Sequence, residues 1–266
     1  MIRLPQVALP LNTAAELQTL QSSVDILRAY SDRVEAAKTL FKRRNTAKNP
    51  TFAEVRKSLT RMCAGARRCV YCEDSCADEV EHIKPKDLYP ESVFHWNNYV
   101  YACGPCNGPK NNQFAVFSAG TGLVTDITRP RLGPVLEPEP GSPVLIDPRW
   151  EDPLQFMALD LIDTHLLLPT KAKGSKDRVR AEYTIEVLKL NRDVLLKARR
   201  EAHGHYEARL SQYIAVRDRG DSAAQLRHLI RALKRMQHPT VWKEMKRQHV
   251  AIPMLAQIIG SVKDFV

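Results

Sequence analysis

The chain has 266 residues, of which 44% are hydrophobic and 26% are charged, and its formal net charge is +10. This composition is typical of a globular protein and argues against a disordered or fibrous chain. The apolar runs are too short to span a membrane, and the first residues contain no signal-peptide core. We therefore expect a cytoplasmic protein that does not enter a membrane.

The chain divides into four segments of different character. Residues 1–66 are predicted to be helical, because apolar residues recur at helical spacing and capping boxes begin at Thr13 and Thr51. Residues 67–117 are rich in Cys, His, Asn and aromatic residues, and the run VFHWNNYVYAC favours a strand. Residues 118–170 contain many Pro and Gly, which predicts a connecting segment with short strands. Residues 171–266 are predicted to be helical and basic, so the expected fold class is α+β, mostly helical.

The positive charge is concentrated in the last segment. From Lys171 to Arg247 there are 20 Lys and Arg against 9 Asp and Glu, a net charge of +11. The other residues contain 20 basic and 21 acidic side chains, a net charge of −1. A basic half beside a neutral half indicates a polyanionic partner, and nucleic acid is the favoured one. A set of solvated helix faces is the alternative interpretation.

Four of the six cysteines have the spacing of metal ligands. Each of two Cys-x-x-Cys knuckles can turn two thiolates toward one point, and two knuckles complete a tetrahedral sulfur site. Sulfur ligands without an open position predict a structural zinc ion. A set of buried free thiols is the alternative, but it does not explain the paired spacing. The predicted zinc ligands are Cys69, Cys72, Cys103 and Cys106.

Other Cys and His residues have no assigned role from the sequence. Cys63 and Cys76 do not fit the knuckle spacing and are expected to be free thiols. His203 and His205 have the spacing of a metal-binding pair, but a solvated helix face is the preferred interpretation. His165 has no expected function.

The segment between and after the knuckles resembles the HNH endonuclease family. The resemblance rests on the stretch EHIKPK (81–86), followed by WNNYVYACGPCNGPK (96–110), and it covers roughly 50 residues. Two later stretches, VLIDPRWEDP (144–153) and RAEYTIEVLKLNRDVLLKAR (180–199), resemble a defence-associated subgroup of this family. The chain resembles the HNH component of Septu-type antiphage systems, which works beside an ATPase.

This resemblance implies a ββα-metal core and a set of residue roles. His82 would be the general base that takes a proton from water, and Glu81 and Asn107 would hold a catalytic Mg²⁺ or Mn²⁺ ion. Asn98 would orient the loop next to His82, although Asn97 competes for this role. Lys110 would contact a phosphate. The family often has Asp and His where this chain has Glu81 and Asn107, and both replacements suit an oxygen-preferring ion.

The expected function is therefore metal-dependent hydrolysis of phosphodiester bonds in DNA, as an effector of antiphage defence. An RNA-cleaving nuclease is one alternative, because the expected site contacts a phosphate and not a sugar. A non-catalytic zinc-ribbon adaptor that binds nucleic acid or a partner protein is the other. The expected partners are nucleic acid, an ATPase of a defence system and a second copy of the chain.

Overall fold

A computed structural model describes residues 1–260, and the last six residues of the predicted basic segment lie outside the described residues. The chain begins with three helices, α1 (Leu11–Asp25), α2 (Tyr30–Arg44) and α3 (Pro50–Thr60). Two strands and a short helix follow, β1 (Glu79–His82), β2 (Tyr99–Ala102) and α4 (Gly104–Lys110). The helices predicted for residues 1–66 are present between Leu11 and Thr60, whereas residues 1–10 form no helix or strand.

The two predicted capping boxes do not form the helix starts. Helix α1 begins two residues before Thr13, directly after Pro10, and no side chain caps it. Helix α3 begins at Pro50, and the side chain of Asn49 accepts a hydrogen bond from the backbone of Phe52. An Asn cap followed by Pro at the first helical position needs no further capping residue, so Thr51 lies inside the helix.

The connecting segment contains two small sheets. Strands β3 (Ala115–Ser118), β4 (Val124–Asp126) and β5 (Gly141–Pro143) form an antiparallel sheet in the order β4-β3-β5. Strands β6 (Met157–Leu159) and β7 (Leu167–Pro169) form a separate hairpin. Most of the run VFHWNNYVYAC is not a strand, because β2 begins only at Tyr99.

Helices make up the remainder of the described chain. They are α5 (Lys176–Val187), α6 (Asp193–Asp218), α7 (Ala223–Lys234), α8 (Pro239–Gln248) and α9 (Pro253–Gly260). The α+β fold class is confirmed, with about half of the chain in helices. Within residues 1–260, no helix combines the length and the apolar character that a bilayer crossing requires.

One hydrophobic core joins residues from all four predicted segments. It includes Phe52 of α3, Tyr99 of β2, Met157 of β6 and Leu210 of α6, each with almost no exposed surface. The four segments differ in sequence but contribute to one core. Their boundaries as domains stay a prediction.

A buried arginine from the connecting segment supports the start of β2. Arg149 is 1% exposed, and its guanidinium lies 4.8 Å from the centre of the Trp96 ring. It donates hydrogen bonds to the Asn97 side chain at 3.0 Å and to the Tyr99 carbonyl at 3.3 Å. These contacts hold the end of the β1–β2 loop from outside the hairpin.

Candidate functional site

The predicted site residues lie on the β1–β2 hairpin and on helix α4. The strands are antiparallel, and His82 is paired with Tyr99. Because side chains alternate along a strand, Glu79 and Glu81 share one face of β1 and His82 lies on the other. Glu81 and His82 are adjacent in sequence, but their side chains therefore lie on opposite faces of β1, at the end of the strand.

His82 is a buried imidazole with a fixed tautomer. Its Nε2 atom lies 2.9 Å from the Val93 carbonyl oxygen, and the ring packs against Phe41 and Tyr99 at centroid distances of 4.4 and 5.1 Å. A carbonyl only accepts hydrogen bonds, so Nε2 is protonated and Nδ1 has the free lone pair. Burial, with a smaller effect of the Lys86 charge, lowers the pKa of His82 to about 3. The imidazole is therefore neutral near neutral pH, and its Nδ1 lone pair is the position that can accept a proton, although the low pKa makes it a weaker base than a free histidine.

Asn98 fixes the loop that follows β1. Its side-chain oxygen accepts a hydrogen bond from the Lys84 amide at 2.7 Å, and its nitrogen donates to the carbonyls of Lys84 and Ser92 at 3.0 Å. Asn98 therefore holds this loop in place, and its role in orienting the loop for catalysis stays a prediction. The Asn97 side chain instead accepts a hydrogen bond from Arg149.

Glu81 and Lys110 form a buried ion pair. The Lys110 ammonium has no exposed surface and donates to Glu81 Oε1 at 2.6 Å and to the His82 carbonyl at 2.8 Å. Burial raises the pKa of the Glu81 carboxyl, and the Lys110 charge opposes this shift. The expected phosphate contact does not fit this position of Lys110, because the ammonium is inside the protein and its charge is already paired.

Asn107 contacts Glu79, a carboxylate with no role predicted from the sequence. Its side-chain nitrogen donates to Glu79 Oε2 at 2.6 Å. Asn107, Glu79 and Glu81 nevertheless line one open cleft of about 680 Å³, together with His82. The cleft also contains basic side chains that can face an anionic ligand, Arg56 and Lys86.

The four predicted zinc ligands converge beside this cleft. Their sulfur atoms all lie within 4.8 Å of one another, and all four residues are buried. Two sulfur atoms at about 2.3 Å from a tetrahedral zinc ion lie about 3.8 Å apart. The Cys72 and Cys103 sulfur atoms are 3.8 Å apart. The four cysteines are therefore close enough to hold a zinc ion.

The surroundings of the four sulfur atoms also suit a metal–thiolate group. Hydrogen bonds among the four thiols lower the pKa of Cys72 and Cys103 and raise the pKa of Cys69 and Cys106. Two nitrogen atoms of the Arg192 guanidinium each lie 3.7 Å from the Cys106 sulfur. This positive charge offsets part of the negative charge that a metal–thiolate group has.

The two remaining cysteines do not join this group. Cys63 is half-buried, and burial raises the pKa of its thiol to about 12. Cys76 is exposed and accepts a hydrogen bond from Arg67 at 3.1 Å. Both are free thiols, as expected.

Glu79, Phe41 and Arg56 are among the cleft residues that were not identified from the sequence. Glu79 could have been found, because it lies two positions before Glu81 and so on the same strand face. Phe41 and Arg56 come from the N-terminal helices, where no local pattern distinguishes them from other helical residues. Only the tertiary packing of α2 and α3 brings them to the hairpin.

These features define an α+β protein with a cluster of four cysteines that can hold a metal ion, beside a charged cleft. No protein-family model matches the chain. A stretch of 51 residues is 48% identical to the Septu protein PtuB of Bacillus thuringiensis. The match covers 17% of this chain and 20% of that protein. It supports a relation to a Septu protein over a short stretch, whereas the HNH relationship stays a prediction.

Replacing Cys103 by Ser tests the four-cysteine cluster. We expect the variant to retain one equivalent of zinc fewer than the wild type and to unfold at a lower temperature, because a structural zinc site contributes to folding free energy. Elemental analysis and thermal denaturation measure the two effects.

The matched control is Cys76→Ser, which changes an exposed thiol outside the cluster. It should retain the wild-type zinc content and stability. Equal zinc contents in all three proteins would mean that the four sulfur atoms do not bind zinc.

Proposed function

We propose that the chain is a metal-dependent HNH-type endonuclease that hydrolyses phosphodiester bonds in DNA. The observation that supports this best is the state of His82. A buried, neutral imidazole with its Nε2 atom held by the Val93 carbonyl lines an open cleft and has a lone pair on Nδ1. An imidazole fixed in this way can take a proton from an attacking water molecule.

Oxygen atoms in the same cleft suit a hard divalent cation. Lys110 contacts only one oxygen of Glu81, and the hydrogen bond of Asn107 uses its nitrogen. The second oxygen of Glu81 and the amide oxygen of Asn107 are the proposed ligands, and Glu79 is a third candidate. A Mg²⁺ or Mn²⁺ ion bound there would stabilise charge on the scissile phosphate and on the leaving oxygen.

Other residues of the cleft have positioning and binding roles in this proposal. Asn98 holds the loop that contains the Val93 carbonyl, and so indirectly the orientation of the His82 ring. Lys86 and Arg56 line the cleft and are proposed as the phosphate contacts in place of the buried Lys110. Lys110 instead stabilises the Glu81 carboxylate, because an unpaired buried charge is costly.

The similarity to a Septu protein supports a role in antiphage defence. A nuclease with a generic substrate endangers its own cell, so we propose that a partner protein, such as an ATPase, or a second copy of the chain restrains or triggers it. Copurification with an ATPase encoded beside this chain would support such control, and full activity of the isolated monomer would contradict it.

One observation favours a second candidate function. The Glu81 carboxylate is already neutralised by Lys110 at 2.6 Å, which is an arrangement that a non-catalytic zinc-ribbon adaptor could also use for stability. Such an adaptor would bind nucleic acid or a partner without cleaving it. Cleavage assays with DNA and with RNA separate these functions and also identify the substrate.

Replacing His82 by Ala tests the proposed general base. We expect cleavage of plasmid DNA in Mg²⁺ or Mn²⁺ to slow by about 10²- to 10⁴-fold, the usual contribution of a positioned general base. The rate of conversion from supercoiled to nicked or linear DNA measures the effect.

The control variant is His95→Ala, which removes an exposed imidazole from the same loop. It should cleave at the wild-type rate. The nuclease proposal fails if the wild type cleaves neither DNA nor RNA with any divalent ion, with and without a partner, or if His82→Ala is as active as the wild type.

The pH dependence of cleavage provides an independent test of His82. Because burial lowers the pKa of this residue to about 3, the neutral base is present well below the ordinary histidine value of about 6.5. We therefore expect the single-turnover rate to change little between roughly pH 6 and pH 8. A tenfold loss of rate for each pH unit below about 6.5 would show that the base titrates as an exposed histidine.

The salt dependence of DNA binding tests the basic segment. Arg227 and Arg231 are exposed on helix α7. If they contact phosphates, replacing both by Gln should reduce the slope of log affinity against log salt by about 0.9 for each lost contact. Fluorescence anisotropy with a labelled duplex measures this slope.

The matched control replaces two exposed arginines of the N-terminal segment, Arg3 and Arg28, by Gln. This variant has the same net charge and should retain the wild-type slope. Equal slopes in the two variants would remove α7 from the DNA-binding surface.

A further inference from the structure

A second group of metal-ligating side chains lies away from both the cleft and the four cysteines. His165 is in the turn of the β6–β7 hairpin, and His203 and Glu207 are on helix α6. His203 and Glu207 are four residues apart, so they lie one above the other on a single face of the helix. The rings of His165 and His203 are adjacent, with a centroid distance of 5.7 Å and an angle of 56° between their planes.

The backbone of the hairpin turn is fixed on helix α6. Arg199, one turn before His203, is 3% exposed and donates to the His165 carbonyl at 3.1 Å. Asp160 accepts hydrogen bonds from the Ile162 and Thr164 amides and so closes the turn. His165 has a positive φ of 58°, a strained conformation for a residue with a side chain. The turn therefore holds the imidazole against α6 at an energetic cost.

The polar atoms of this group are buried and make no well-formed hydrogen bond, although His203 Nε2 and Glu207 Oε1 lie 3.6 Å apart. His165 is 5% exposed, and neither of its ring nitrogens makes a well-formed hydrogen bond. The Nε2 atom of His203 and the Oε1 atom of Glu207 are likewise buried without a hydrogen-bond partner. Each such atom costs about 1–3 kcal/mol unless a water molecule or an ion satisfies it. Their concentration on adjacent side chains indicates a ligand.

The distances approach those of a zinc site. The atoms His203 Nε2 and Glu207 Oε1 are 3.6 Å apart. Two ligand atoms at about 2.0–2.1 Å from a tetrahedral zinc ion lie about 3.4 Å apart, and two imidazole centroids lie about 5 Å apart. Among the described residues, only the four cysteines already have all ligand atoms within 4.8 Å of one another, so one side chain must rotate to complete this site.

We propose that His165, His203 and Glu207 form a second metal site, which binds Zn²⁺ and leaves a fourth position for water. Two imidazoles and one carboxylate are a common ligand set for zinc with an open position. The site differs chemically from the four-cysteine cluster, which has no open position. It is also independent of the proposed nuclease activity.

Charged side chains of both signs surround the three proposed ligands. Burial lowers the pKa of His165 and of His203, so both imidazoles are neutral and able to bind a metal near neutral pH. The charges of Arg199 and Arg200 oppose a cation, whereas Glu207 and Asp160 favour one. The His203 ring faces the hairpin, which corrects the expectation of a solvated helix face, and His205 two positions on is exposed.

Zinc content of the untagged full-length chain tests the site. After dialysis against buffered free zinc, we expect His165→Gln and His203→Gln each to retain one equivalent fewer than the wild type. His205→Gln is the matched control on the same helix and should retain the wild-type content. Zinc bound elsewhere is counted equally in all four proteins, so the difference reports on this site alone. Equal contents in all four proteins would overturn the proposal and leave water as the partner of these atoms.

Glu207→Gln is a second test in case the histidine variants fail to fold. The Glu207 side chain is 25% exposed, and replacing it by Gln creates no cavity. We expect competition with a chelator to show an affinity for the second zinc that is lower by about tenfold or more, the scale seen even when residues around a metal site are altered. Added zinc should raise the unfolding temperature of the wild type more than that of this variant. An unchanged affinity and an equal thermal shift would contradict the assignment.

Discussion

The convergence of four sulfur atoms is the constraint on which the candidate site depends. Cys69 and Cys72 precede β1, and Cys103 and Cys106 follow β2, so their cluster closes the hairpin at its open end. Two short strands alone are marginally stable, and a cluster at their ends fixes both the register and the start of α4. The positions of the neighbouring catalytic candidates follow from this closure.

The site itself is built from polar groups inside an aromatic core. The His82 ring packs against Phe41 and Tyr99, and the Lys110 side chain has no exposed surface. Such groups are stable in a low dielectric only when they are neutral or paired, which is the state of each of them here. The same burial that makes the imidazole neutral also makes it rigid. Stability and the proposed reactivity therefore depend on the same contacts.

Local patterns in the sequence predicted the parts of the molecule that are locally determined. The Cys-x-x-Cys spacing located all four clustered sulfur atoms, and helical periodicity located the N-terminal and C-terminal helices. Contacts between distant residues were not predictable in this way. The pairing of Glu81 with Lys110, and the burial of His203 against a hairpin turn, are set by tertiary packing, which leaves no periodic signal in the chain. The cap of α3 was not predicted at Asn49, because the capping-box pattern at Thr51 lies inside a helix that already begins at Pro50.

Arg149 has a consequence for how such a hairpin can be inherited. Its guanidinium is bound by Asn97, 52 residues earlier in the chain, and is covered by Trp96. A gene fusion that moved only residues 67–117 into another protein would lose this cation and also Phe41, and would expose the faces that both of them cover. A unit that keeps both contacts must therefore extend at least from α2 to Arg149, and one that also keeps the Arg192 contact to Cys106 must reach the start of α6. The short motif is recognisable by itself, but it is not an autonomous module.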